Sequence, residues 1–294
     1  MVKIIIFFFL SLNLFSQSVI LETLDYEQSL EKAVDHIIEK SKGNRGLKVF
    51  GWDIDNNILA LTGREGFVGQ VPPGADQWFG WQAHLLKNEP TSPDLVAKNF
   101  DELVSIYDDL ILISKTRMVS DKIPSIFAKL RKNGFKMFAI TARSPSYEIK
   151  IATQRELERY GLQFDNSLFK ESYFQGTASL ETLKKDFGLS NGVVYMNGQH
   201  KGDGINFLFE RYKINPKFIG FSDDKLKNVK KFAEGLKHRG VPVYSIRNGI
   251  EDELVERFLG KDLSELNSMK NLASSEYKYV FNKGFICSLK LKAH

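Results

Sequence analysis

The sequence predicts an α/β protein with a doubly wound, mainly parallel sheet, and two observations support this fold class. Short apolar runs alternate with segments of helical periodicity from about residue 47 to residue 246. Glycines and polar residues separate these runs, as they do in the turns between strands and helices of such folds. With 294 residues, 43% hydrophobic and 26% charged, the chain can bury a large core, in one domain with an insertion or in two domains.

The first eighteen residues have the pattern of a secretory signal peptide. Lys3 precedes an apolar block from Ile4 to Leu12, and small residues follow at Ser16 and Ser18. We expect cleavage after Ser18 and a secreted or periplasmic mature protein. The alternative is an uncleaved membrane anchor, but the apolar run is shorter than the ~20 residues that span a bilayer. After removal of this leader we expect no stable membrane insertion.

The charge distribution argues against a nucleic-acid partner. The formal net charge is +5, but the basic residues are scattered among 36 acidic ones. A nucleic-acid interface concentrates its positive charge on one face, so this pattern indicates only a mild attraction for anions. Cys287 is the single cysteine, so no disulfide can form within the chain and stability must come from packing. The sequence indicates no particular oligomeric state.

The first elements after the leader are a packing helix and a buried strand. Apolar residues at helical spacing predict the helix at residues 30–38, with Asp25 and Gln28 as a capping box and Gly43 as the stop. The apolar run at residues 47–52 predicts the first core strand, and Asn56-Asn57 predicts a turn after it. Residues 19–62 thus begin the core.

Residues 63–113 are predicted to form a small, mainly helical lid inserted after the first core strand. Residues 63–94 are rich in glycine and proline, and a helix is expected from Leu95 to Ile113. The glycine-rich segment also holds Trp78, Phe79, Trp81 and His84. Its aromatic rings could line a substrate pocket or could form the lid's own small core. His84 by itself does not indicate a metal.

The remaining core, residues 114–260, alternates between helices and strands. Helices are predicted at residues 120–133, 146–160, 177–187, 202–212 and 225–238. Strands are predicted at residues 135–140, 192–196, 217–221 and 241–246. Residues 261–294 are expected to be a C-terminal extension, in which the alternation over residues 277–291 suggests a β-hairpin.

Polar side chains follow four of the predicted strands: Asp53 with Asp55, Thr141, Lys201, and Asp223 with Asp224. The carboxyl ends of parallel strands share one edge of a sheet, so these residues can converge on one cleft. Carboxylates, a hydroxyl and a lysine suit a divalent cation and a phosphoryl group, and carboxylates brought close together repel unless a cation lies between them. In the simpler alternative, the lysine is a solvated surface residue and the second acidic pair caps a helix.

Four stretches carry a resemblance to a known family: DIDNN, FAITARS, NGQHKG and IGFSDD, in this order. They resemble the motifs of the haloacid dehalogenase superfamily of phosphohydrolases over roughly residues 47–246. The resemblance implies a Rossmann-like core and an exported, acid-phosphatase-like enzyme. Such an enzyme would use Mg²⁺ to hydrolyse a small phosphate monoester.

The resemblance also implies a role for each residue. Asp53 would be the nucleophile that forms an aspartyl-phosphate, and Asp55 would be the general acid and base. Thr141, Ala142, Arg143 and Lys201 would bind the phosphoryl group, although Arg143 could instead pair with a carboxylate. The Mg²⁺ ligands would be Asp53, Asp55 through its backbone carbonyl, Asp223 and Asp224.

Asn57 departs from the family pattern, in which a threonine usually stands two residues after the second aspartate. Asparagine can still form hydrogen bonds, so the departure bears on the rate or the site geometry and not on the fold. One alternative function is a non-catalytic phospho-ligand-binding protein of the cell envelope. Another is a domain that docks to an envelope protein through residues 270–294.

Overall fold

The computed structural model describes residues 3–6, 18–23, 27–63, 76–176 and 182–259. Its strands are β1 Lys3–Ile6, β2 Ser18–Glu22, β3 Lys48–Trp52, β4 Leu59–Gly63, β5 Lys115–Met118, β6 Phe135–Thr141, β7 Ser172–Phe174, β8 Phe187–Ser190, β9 Val193–Tyr195, β10 Phe218–Asp223 and β11 Val243–Arg247. Its α-helices are α1 Glu27–Ser41, α2 Asp76–Asn88, α3 Phe100–Ile113, α4 Ile123–Lys132, α5 Tyr147–Arg159, α6 Lys201–Arg211, α7 Leu226–Leu236 and α8 Asp252–Leu259, and a 3₁₀ turn covers Lys237–Arg239. This mixed architecture, with a large and mostly parallel sheet, confirms the predicted fold class.

The central sheet has nine strands in the order β1-β2-β11-β10-β3-β6-β9-β8-β7. The six strands from β2 to β9 in this order pair in parallel, whereas β1, β8 and β7 pair antiparallel at the two margins. From β3 the chain builds β6 and β9 on one side, and then β10 and β11 on the other. Open α/β sheets bind their ligands at the carboxyl ends of strands beside such a reversal of order.

The middle strands are buried along nearly their whole length, which explains their continuous apolar runs. All six residues of β10 are buried, and the rings of Phe221 and Phe232 stack with centroids 3.8 Å apart. Gly220 pairs with Phe50 of β3, and a Cβ at this glycine would lie 2.3 Å from Phe50 Cδ2. The glycine therefore provides the space that the Phe50 ring fills.

Most of the predicted helices and strands of the core are confirmed to within a few residues. The first predicted helix lies within α1, and the helices expected near residues 120, 146, 202 and 225 correspond to α4, α5, α6 and α7. The predicted strands correspond to β3, β6, β9, β10 and β11. The capping-box residue Asp25 and the tail at residues 261–294, with its proposed hairpin, lie outside the described residues.

The helix predicted at residues 177–187 is wrong for the part that the structure describes. Residues 182–186 are irregular, and Phe187–Ser190 forms β8. Asn191 and Gly192, with φ of +49° and +75°, form the turn that joins β8 to β9 as an antiparallel hairpin. Positive φ at both central positions is what a tight two-residue hairpin turn requires. The hairpin turn therefore determines that residues 187–190 form a strand, although the residues before them have helical spacing.

The helix expected from Leu95 begins instead at Phe100. Asn99 caps this helix, because its side-chain oxygen accepts a hydrogen bond from the backbone N–H of Glu102 at 2.9 Å. Before α3, the helix α2 occupies part of residues 63–94, a segment whose glycines and prolines predicted irregular structure.

A strand before residue 47 was not predicted, yet β2 is an integral part of the sheet. Val19, Ile20 and Leu21 are buried, and β2 pairs in parallel with β11. β1, within the predicted leader, pairs with β2 on its other side. Cleavage after Ser18 would keep the buried residues of β2 in the mature chain, and the signal peptide itself stays a prediction.

The chain divides into two compact units, and the described residues of the second are 59–63, 76–117, 146–156 and 252–259. The described part of the predicted lid falls in the first two of these segments. Within this unit β4 and β5 form a two-stranded sheet, Trp78 is buried, and Phe79 contacts Tyr107 and Phe100 at centroid distances of 4.6 and 6.1 Å. Trp78 therefore belongs to the packed interior of this unit, whereas Phe79 is partly exposed and contacts Phe100, which is 48% exposed. Within the described residues, no helix is long and apolar enough to cross a membrane.

We expect Gly220→Ala to destabilise the protein by about 1–3 kcal/mol, because the added methyl group would overlap the Phe50 ring. Urea unfolding of the purified variant measures this loss. The control is Gly80→Ala in α2, where a Cβ would meet nothing within 4 Å. This control should be neutral or stabilising by up to about 1 kcal/mol. Equal stabilities for Gly220→Ala and the unaltered protein would contradict the packing described here.

Candidate active site

A buried lysine joins two carboxylates at the carboxyl ends of neighbouring strands. Asp53 directly follows β3, Asp223 ends β10, and Lys201 begins α6. The Lys201 Nζ lies 2.6 Å from Asp53 Oδ1 and 2.6 Å from Asp223 Oδ2. Asp53 is only 5% exposed, Lys201 6% and Asp223 0%. We call this arrangement the lysine bridge. It excludes the alternative of a solvated surface lysine.

Asp224 brings a third carboxylate to the lysine bridge. One oxygen from each of Asp53, Asp223 and Asp224 lies within 4.8 Å of the others. When all are ionised, these three carboxylates and the Lys201 ammonium carry a net charge of two negative units. A divalent cation matches that charge, and three carboxylate oxygens are the hard ligands that Mg²⁺ and similar ions prefer. The residues present therefore fit a divalent metal.

A second polar group forms around Asp55. The Arg143 Nη2 donates to Asp55 Oδ1 at 2.7 Å and its Nε donates to Asp55 Oδ2 at 3.1 Å. The Thr141 hydroxyl donates to Asp55 Oδ2 at 3.3 Å. This is a two-pronged ion pair, the geometry in which arginine binds carboxylates most strongly. Of the two roles considered for Arg143, the structure contains the pairing with a carboxylate.

The electrostatics of the two groups differ. Burial and, next to it, the nearby Asp223 carboxylate together raise the pKa of Asp53 to about 8, against the opposing effect of Lys201. Burial also acts to raise the pKa of Asp55, but the Arg143 guanidinium outweighs it and holds that pKa below its usual range. For Lys201, burial lowers the pKa, but the attraction of Asp223 and Asp53 prevails and raises it. Lys201 is therefore a fixed positive charge, while ionised Asp53 calls for more positive charge nearby.

The loop after β6 is held in place by the loop after β9. Met196 N–H donates to the carbonyl of Thr141 at 2.9 Å, and Gly198 N–H donates to that of Ala142 at 2.8 Å. Ala142 is exposed, so it contributes backbone to this loop and no buried side chain. The predicted residues thus divide into the lysine bridge with Asp224, the Asp55 group, and Ala142 in the connecting loop.

Two residues that the sequence analysis missed hold Asp223. Asn228 Nδ2 donates to both carboxylate oxygens, at 3.0 and 3.2 Å, and the backbone N–H of Lys225 donates to Oδ1 at 2.9 Å. The second contact forms a turn from Asp223 to Lys225, the residue just before α7, so Asp223 orders the approach to this helix as well as joining the lysine bridge. Asn228 lies in the first turn of α7, and an asparagine there gives no signal that distinguishes it from a surface residue.

Comparison with known families places the chain in one of them. The sequence profile of a family described as "Protein of unknown function (DUF2608)" matches residues 27–279, which is most of the chain. The chain belongs to the DUF2608 family. No curated protein matches its sequence. The family description names no activity, so the function of this DUF2608 protein has to be argued from the site.

We expect Mg²⁺ to stabilise the protein by binding at Asp53, Asp223 and Asp224. At a concentration 100 times its dissociation constant, an ion that binds only the folded state adds about 2.7 kcal/mol. For a chain of this size the melting temperature should then rise by roughly 5–10 °C, and chelation should reverse the rise. Differential scanning fluorimetry with and without Mg²⁺ measures it.

The matched variants for this measurement are Asp224→Asn and Asp121→Asn. Asp224→Asn should remove most of the rise, because a neutral amide replaces one of the three carboxylates. Asp121 is exposed and lies outside the site, so its variant should keep the full rise. An identical response in both variants would be evidence against a metal at this cluster.

Proposed function

We propose that this DUF2608 protein is a Mg²⁺-dependent phosphomonoesterase that uses the chemistry of the haloacid dehalogenase superfamily. The observation that supports it best is the lysine bridge between Asp53 and Asp223, with Asp224 beside it. Catalysis of phosphoryl transfer consists mainly of positioning and charge neutralisation, and this cluster offers both. Mg²⁺, held by Asp53, Asp223 and Asp224, would offset negative charge on the phosphoryl oxygens.

In the first step proposed, Asp53 is the nucleophile. A carboxylate oxygen of Asp53 forms a bond to phosphorus as the bond from phosphorus to the ester oxygen breaks, which leaves an aspartyl-phosphate and an alcohol. Lys201 offsets the charge of the transferring group, and the Thr141 hydroxyl can donate to one of its oxygens. Asp55, two residues from the nucleophile, supplies the proton that the departing oxygen takes up.

In the second step, water attacks phosphorus and regenerates Asp53. Asp55 accepts the proton of that water, and inorganic phosphate leaves. The three hydrogen bonds from Arg143 and Thr141 stabilise the ionised form of Asp55, which is the form that this step needs. Because Asp55 is held in its ionised form, its donation of a proton to the leaving oxygen in the first step is less favoured. Aryl phosphates, whose leaving groups need little protonation, are therefore suitable test substrates.

We expect Mg²⁺-dependent hydrolysis of p-nitrophenyl phosphate, measured by the release of p-nitrophenolate. Asp53→Asn should lower kcat by roughly 10³-fold or more, because the amide is a poor nucleophile. The surface variant Asp121→Asn should retain full activity. If the folded protein instead shows no turnover at any Mg²⁺ concentration, but binds inorganic phosphate, the non-catalytic phospho-ligand binder becomes the better explanation.

We also propose that the protein is exported after cleavage of residues 1–18. The leader pattern supports export, and cleavage after Ser18 would leave Val19, Ile20 and Leu21 in the mature chain. N-terminal sequencing of the protein purified from its native cell envelope or medium should begin at Val19. A protein recovered with Met1 or Val2 at its amino terminus would disprove cleavage.

A further inference from the structure

The Asn57 side chain connects the strand that leads to Asp53 with the strand that carries Asp223. Its Nδ2 donates to the carbonyl of Asp53 at 3.1 Å and to the carbonyl of Ser222 at 3.2 Å. Its Oδ1 accepts a hydrogen bond from the Ser222 hydroxyl at 2.8 Å. Asn57 and Ser222 are both 0% exposed. A single carboxamide thus links the backbone at Asp53, in the lysine bridge, with the backbone at Ser222, next to Asp223.

The chemistry of the carboxamide explains why asparagine suits this position. A carboxamide has two N–H donors and an acceptor oxygen, and all three are used here. A threonine hydroxyl has only one proton to donate, so it could serve one of the two carbonyls and would leave the other without this partner. An aspartate would bring carboxylate oxygens against the same carbonyls. Asn57, which stands where the family usually has threonine, therefore has a partner for each of its polar atoms, including the Ser222 hydroxyl.

Asn248 ties this connection to the next strands of the sheet. Its Nδ2 donates to the carbonyl of Asn57 at 3.0 Å, and its backbone N–H donates to the carbonyl of Asp223 at 2.9 Å. Thr23, just after β2, donates from its hydroxyl to Asn248 Oδ1 at 3.3 Å. Asn248 is also 0% exposed. The backbones of Asp53 and Asp223 are thus fixed through buried side chains that do not themselves reach the lysine bridge.

We propose that Asn57, supported by Ser222 and Asn248, is a positioning residue that sets the spacing between Asp53 and Asp223. This inference rests on the proposed function, because it assigns the spacing to metal binding and phosphoryl transfer. Buried hydrogen bonds hold the ends of two strands that each carry a metal-binding carboxylate. Octahedral Mg²⁺ sites tolerate little deviation in ligand position, so loss of this connection weakens binding of the ion even in a folded protein.

The test compares Asn57→Thr with Val34→Ala in protein expressed from its full coding sequence. Val34 is buried in α1, a helix that contributes no residue to the site, so its variant controls for a general loss of stability. For each protein we would measure the melting temperature without metal, the Mg²⁺ dissociation constant by calorimetry, and kcat and KM for p-nitrophenyl phosphate. The metal affinity and the separation of kcat from KM distinguish positioning from a structural role.

Asn57→Thr should raise the Mg²⁺ dissociation constant about tenfold and lower kcat about tenfold, with KM changed less than about twofold. Val34→Ala should lower the melting temperature but leave the dissociation constant and kcat within about twofold of the unaltered protein. Unchanged Mg²⁺ affinity in Asn57→Thr would overturn the proposal. An equal shift in Val34→Ala would overturn it too, because the shift would then follow stability.

A second variant covers the case in which Asn57→Thr does not fold. Ser222→Ala removes only the hydroxyl bond to Asn57 and should raise the Mg²⁺ dissociation constant about threefold. An unchanged dissociation constant in Ser222→Ala would overturn the proposal. If the unaltered protein binds Mg²⁺ but has no turnover, the proposed phosphatase fails and the dissociation constants still decide the positioning role. If it binds no Mg²⁺, the metal site and the positioning role both fail.

Discussion

The site depends on one buried ammonium group that lies between two carboxylates. Removing such charges from water costs several kcal/mol per ion, and the cost is recovered only when the partners are close and well oriented. The two contacts of Lys201, both at 2.6 Å, meet this condition. They require β3 and β10 to end side by side and α6 to begin opposite them. The parallel pairing of β3 with β10, and the turn that starts α6, can therefore be understood as supports for one electrostatic arrangement.

The single Lys201 ammonium does not balance the negative charge of the carboxylates around it. Three carboxylates lie close together and Lys201 pairs with two of them, Asp53 and Asp223. Burial and, next to it, the Asp223 carboxylate raise the pKa of Asp53. Arg143 does not relieve this imbalance of charge, because its guanidinium is engaged with Asp55 in a separate pair. Two aspartates separated by a single residue thus occupy opposite environments, one that opposes ionisation and one that favours it. If Asp53 is the nucleophile proposed above, it has to be ionised, and its surroundings therefore call for a cation beside it.

The central strands could be predicted because buried parallel strands are continuous apolar runs, and Asp53, Thr141 and Asp223 could be placed because they stand at or directly after the ends of such runs. β2 could not, because a short apolar strand next to an apolar leader has the composition of the leader. β8 was not predicted, because its pairing with β9 depends on the hairpin turn at Asn191 and Gly192 and not on local periodicity. The hydrogen bonds of Asn57 and Asn228 depend on where the ends of β3 and β10 and the start of α7 meet in space. Nothing in the sequence around either asparagine determines that.

The place of β2 in the sheet has a consequence for the order in which the chain can fold. Its partner β11 comes near the end of the described chain, and the Thr23 bond to the backbone of Arg247 joins residues 224 positions apart. Contacts between such distant residues are slow to form, because a long loop must close before they contribute any stability. While the chain is being made, the edge of β2 that faces away from β1 has no partner until β11 has emerged. This part of the sheet, and with it the support behind Asp223, is therefore completed only when nearly the whole protein is present.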